Sequence, residues 1–121
     1  MSQISVAPAI IEKATELGKA LVESEQFRNV REKQDKAFNN MISLELLQKY
    51  EATKKAYAIK AEKGELTEDE IKSLETLELE IHKNRLCREL IEARAAYQAM
   101  LNEVMTTILR VQKEAMDKIE S

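Results

Sequence analysis

Structure breakers are scarce in this chain: 121 residues hold two glycines and one proline. A β-sandwich or barrel needs turn residues about every 8–12 positions, so that composition excludes one. Tryptophan is absent, and one histidine cannot supply the Glu-x-x-His motif that a ferritin-like di-metal bundle needs on each of two helices. One cysteine makes no internal disulfide. No apolar run approaches the ~20 residues that span a bilayer. No basic stretch followed by an apolar segment and cleavage site opens the sequence, so the expected compartment is the cytoplasm. Gly-rich phosphate loops, the GxSxG elbow and the His-Glu-x-x-His pair are all missing. The expectation is no catalytic residue, no cofactor and no metal site.

What is present is charge and periodicity. Apolar residues make up 44% and charged residues 34%, and the apolar ones recur in helical stripes, which argues against disorder. The formal charge of −3 lacks the basic surplus of a nucleic-acid module. It is unevenly spread: Glu62 to Glu80 carries eight acids against two bases, and Arg28 to Lys60 eight bases against four acids. In a helical hairpin turning at Gly64 these stretches would face each other or a neighbouring chain.

The stripes predict an all-α antiparallel bundle of about five helices, one domain over residues 1–121, with helices near 7–23, 25–38, 41–63, 68–83 and 85–118. Ser5 and Pro8 suit a first helical turn, after which Ile10, Ala14, Leu17 and Leu21, flanked by Ile11, Gly18 and Val22, predict a broad buried face. Gly18 reads either as a close helix–helix approach or as a tolerated cost of about 1 kcal/mol. Ser24 and Asn40 are candidate N-caps. Phe27, Val30 and Phe38 mark the second helix. Leu47, Tyr50, Tyr57 and Ala61 form a heptad-like seam on the third, which Gly64 ends. Thr67 and Glu70 form a capping box, and Ile71, Leu74, Leu77 and Ile81 follow. Asn84 is the last candidate cap. Beyond it Leu86, Leu90, Ala93, Tyr97, Met100, Val104, Ile108, Val111 and Ala115 make the longest stripe. At 1.5 Å per residue it covers near 45 Å, more than a lone bundle with a radius of gyration of about 14 Å can hide. The expected interface is therefore Tyr97, Met100, Leu101, Val104, Met105 and Ile108, with self-association through this helix.

Two rival chemistries would rest on named residues. His82 and Cys87 lie five positions apart, but a dyad or metal half-site needs further groups that nothing marks. Cys87 reads better as a small buried hydrophobe, and His82 as a helix-end residue. Met41, Met100, Met105 and Met116 read as adaptable packing. Arg28, Arg31, Lys33, Lys49, Lys54 and Lys55, with Tyr50 and Tyr57 among the lysines, would serve an RNA-associated module, for which exposed rings flanked by bases are required.

The whole pattern resembles the YlbF/YmcA family of small bacterial all-helical proteins, the control-of-competence regulators. The resemblance rests on Ala14-x-x-Leu17 leading to Ser24-Glu25-Gln26-Phe27, then Asn40, Leu47 and Tyr50. The hairpin Lys63-Gly64-Glu65-Leu66-Thr67-Glu68-Asp69-Glu70 follows, and finally Glu92-Ala93-Arg94 running into Leu101 and Val104. It covers roughly Ile10 to Glu114. It implies a non-enzymatic regulator of competence, sporulation and biofilm formation that works as a homodimer or as a hetero-oligomer with a related helical protein. It also implies a PSP1-domain protein or a ribonuclease as further partner, the latter in messenger-RNA processing. Iron–sulfur binding, another property the family brings, is not carried over. A cluster needs several thiolates, and Cys87 stands alone.

Overall fold

The computed structural model describes residues 7–120, and Ser5 lies outside them. Five helices follow one another: α1 Pro8–Val22, α2 Glu25–Phe38, α3 Met41–Glu62, α4 Glu68–Lys83 and α5 Arg85–Glu120. Each junction has a chemical cause. The Ser24 hydroxyl accepts from the Phe27 amide at 3.1 Å and starts α2. Asn40 Oδ1 accepts from the Ser43 amide at 2.9 Å and starts α3. Thr67 and Glu70 make both halves of the capping box ahead of α4, whose first turn carries three acids at the positive end of its dipole. Asn84 Oδ1 accepts from the Cys87 amide at 3.1 Å and starts α5. Gly64, at φ 71°, ends α3. Beside it the Glu65 amide returns to the Lys60 carbonyl at 2.8 Å and the Gly64 amide to that of Ala61 at 3.1 Å. That pair of bonds is a Schellman motif, which requires the left-handed residue that glycine supplies at least cost.

Cross-chain contacts fix the directions. Lys33 meets Glu89, Gln34 meets Arg94 and Phe27 meets Tyr97, so α2 runs antiparallel along the first half of α5. Lys60 meets Glu70 near the hairpin turn and Ser43 meets Asn84 at its base, so α3 and α4 are antiparallel as well. The core sits where these two pairs cross: Ala37, Leu47, Ile81, Cys87 and Leu90 are buried, with Val30, Leu46, Tyr50, Leu86 and Ile91 packed on them. Ser43 is the one buried polar side chain there. Its hydroxyl donates to Asn84 Oδ1 at 3.1 Å, and its carbonyl accepts from Cys87 Sγ at 3.5 Å. No buried side-chain nitrogen or oxygen among the described residues lacks a partner.

Four expectations give way here. The broad buried face of α1 is not buried: none of its residues is, and its backbone packs on α2 alone. An ideal Cβ on Gly18 would meet nothing within 4 Å, so no close helix approach inside the chain explains it. Met41, read as adaptable packing, stands 75% exposed at the α2–α3 corner, and Phe38 beside it 41%. Both sit at the corner where α2 ends and α3 begins, next to the break at Asn39 and Asn40. The α3 seam also opens along its length: Leu47 is buried, Tyr50 and Tyr57 are half-buried and Ala61 is exposed.

Candidate partner-binding surface

α5 has 36 residues, about 54 Å of helix at 1.5 Å per residue, and α2 covers only its first part. Leu90 and Ala93 are buried, and the Tyr97 ring meets that of Phe27 edge-on, with centroids 5.5 Å apart and planes at 67°. That contact closes the covered stretch. α2 begins at Glu25, the chain breaks at Ser24, and α1 diverges from α5 without bringing a Cα within 8 Å of it. Past Tyr97 the apolar stripe emerges. Met100, Leu101 and Val104 are half-buried, Ile108 is 39% exposed, Met105 55% and Val111 59%.

The two diverging helices leave an open cleft of about 410 Å³, lined by Leu17 of α1 and by Met100, Glu103, Val104, Thr107 and Ile108 of α5. Its walls are mostly apolar. Beyond it Leu109, Met116 and Ile119 on α5, and Ile10 and Ile11 on α1, are all more than half exposed. Exposed apolar patches on monomers seldom exceed a few hundred Å², which makes this surface the candidate site for contact with another macromolecule. Of the six residues expected at the interface, Met100, Leu101, Val104, Met105 and Ile108 share this stretch, whereas the Tyr97 ring is engaged inside the chain. Sequence reasoning missed the α1 residues and the end of α5. The α1 spacing signals an apolar face but not what it packs against, and the default reading of such a face is the chain's own core.

The rival sites do not assemble. No group of His, Cys, Asp and Glu suited to a metal occurs among the described residues. Cys87 is fully buried, and burial pushes its thiol above the ordinary range, away from the reactive thiolate. His82 is exposed at the end of α4, where its carbonyl accepts from Arg88 at 2.6 Å. The bases named for RNA are divided between α2 and α3, and two are occupied: Lys33 holds Glu89 at 3.0 Å, and Lys54 lies 5.0 Å from the Tyr50 ring centre. The oppositely charged stretches meet across the hairpin at Lys60 and Glu70. No described helix is long and apolar enough to cross a membrane.

Comparisons with known proteins fit this architecture. No curated protein matches the sequence. Among solved structures, Bacillus subtilis RicA, determined in complex with RicF, superposes with a TM-score of 0.69 over 92% of this chain and 99% of its own, at 17% identity. That likeness is one of fold. The family model described as control of competence regulator ComK, YlbF/YmcA, matches residues 10–111. That match spans most of the sequence, and the chain belongs to the YlbF/YmcA family.

Proposed function

We propose that this chain is a non-enzymatic regulatory module of the cytoplasm that acts by binding other proteins through the second half of α5. The observation that carries the reading is the apolar stripe from Met100 onward, which α2 does not reach and α1 only flanks. The buried thiol and the divided bases give neither a nucleophile nor a phosphate-binding track. Family membership supports a regulatory role. RicA, whose fold this chain shares, was determined in complex with RicF, which supports a related helical protein as partner. In this reading Met100, Leu101, Val104, Met105 and Ile108 form the contact, with Tyr97 as the anchor that fixes the root of the tail against Phe27. A PSP1-domain protein or a ribonuclease would be a second-tier partner, recruited by the assembled pair.

The test is co-purification with a tagged family paralogue co-expressed from the same genome. Met105→Asp with Ile108→Asp should abolish co-purification, because two buried, unpaired charges would have to be desolvated. Far-UV circular dichroism should stay near wild type, since neither side chain belongs to the buried core. Undiminished co-purification by the double variant would contradict the reading.

A further inference from the structure

A second opening lies at the junction of α2, α3 and α5. It holds about 290 Å³ and is lined by Phe38 of α2, by Leu44, Leu47, Gln48 and Glu51 of α3, and by Arg94 of α5. None of these residues borders the cleft between α1 and α5. The four α3 residues stand at i, i+3, i+4 and i+7, the spacing that keeps them on one flank of the helix. Leu47 belongs to the core and Leu44 is half-buried, while Gln48 and Glu51 are exposed. The cavity thus has an apolar floor resting on the core and a polar rim, the make-up of a small-molecule site. At ~30 Å³ per water-sized group it has room for roughly ten non-hydrogen atoms. An amino acid with an aliphatic side chain is that size.

The rim carries both signs of charge, and neither is neutralised by the chain. Arg94 Nη2 donates to Gln34 Oε1 at 3.3 Å, a neutral acceptor that steadies the guanidinium and leaves its charge and its other N–H groups for a ligand. The Glu51 carboxylate takes part in none of the ion pairs among the described residues. Arg94 and Glu51 therefore border one cavity without pairing with each other. A ligand that satisfies both must carry an anion and a cation beside an apolar body. In a free α-amino acid one carbon bears the carboxylate, the ammonium and the side chain. An apolar side chain within a docked polypeptide brings neither charge, and a chain end brings only one.

We propose that this cavity binds a free aliphatic amino acid of leucine's size, with its side chain against Phe38, Leu44 and Leu47, its carboxylate on Arg94 and its ammonium on Glu51. The planar guanidinium suits a carboxylate, which it can hold through two parallel hydrogen bonds. The ligand also covers the Phe38 ring, which stands 41% exposed at the end of α2. The site shares no residue with the tail, so the molecule takes a small-molecule signal at one place and meets its partner at another.

Isothermal titration calorimetry of the full chain with L-leucine tests this. Saturable heat for one ligand per chain is expected, together with a raised thermal-unfolding midpoint, because a ligand bound only by the folded state stabilises it. L-Leucinamide lacks the carboxylate and N-acetyl-L-leucine lacks the ammonium. Each should bind at least about tenfold more weakly, the loss of one charge-assisted contact. Glu51→Gln, at an exposed position, should weaken L-leucine by a similar factor and leave N-acetyl-L-leucine unchanged. No heat from L-leucine at millimolar concentration would overturn the site. Either derivative binding as tightly as L-leucine would overturn the zwitterion as occupant, in favour of an apolar anchor from a partner chain. Glu51→Gln binding L-leucine as the wild type does would overturn the seat assigned to the ammonium.

Discussion

Asn84 joins two helices through a single side-chain oxygen. One oxygen accepts both the Cys87 amide and the Ser43 hydroxyl, each at 3.1 Å, so the start of α5 is tied to the start of α3. Removing that oxygen leaves the Ser43 hydroxyl buried and unpaired. Asn84→Ala should cost about 1–3 kcal/mol, read as a lower denaturant midpoint with an unchanged slope. The cap itself is legible in the sequence, because asparagine ahead of an apolar stripe has few other uses. The link to Ser43 is not, since it joins residues 41 positions apart and depends on how the helices cross. Glu89 offers a second check. The Lys33 ammonium, hydrogen-bonded to it, holds its carboxyl below the ordinary 4.5. A lowered folded value means the unfolded chain takes up protons first as pH falls. The stabilisation is therefore full above about pH 5 and is lost as pH drops through the folded value. Thermal melts of wild type and Lys33→Met should differ most near neutrality and converge in acid. A constant difference would remove the pair as its source.

At the scale of the element, sequence and structure agree where local chemistry decides. The capping box at Thr67 and Glu70 and the left-handed Gly64 need no tertiary context to be read. Gly64→Ala would place a Cβ on a backbone at φ 71°, which costs roughly 1–2 kcal/mol; thermal unfolding would show it, without altering the assembly. Agreement ends where a helix face must choose its cover. The stripe on α1 and the stripe on α5 look alike in sequence, yet Leu90 and Ala93 are buried while no residue of α1 is. Apolar spacing states that a face will be covered. It does not state by which chain.

Taken whole, the molecule divides its work. The crossing of α2 and α5 with the α3–α4 hairpin holds the buried residues, and α1 with the second half of α5 holds the exposed apolar ones. Disturbing each region should give a different outcome. Leu90→Ala, at a fully buried site, should cost about 2–5 kcal/mol, whereas Ile108→Asp should leave the fold intact and remove only the contact. Amide hydrogen exchange followed over a concentration series measures both regions at once. In the wild type, protection of α1 and of residues 100–119 should rise with concentration, while amides near Leu90 stay equally slow throughout. In Ile108→Asp the tail should exchange at the fast, concentration-independent rate of an uncovered helix. Identical tail protection in the two proteins at every concentration would contradict self-association through this face.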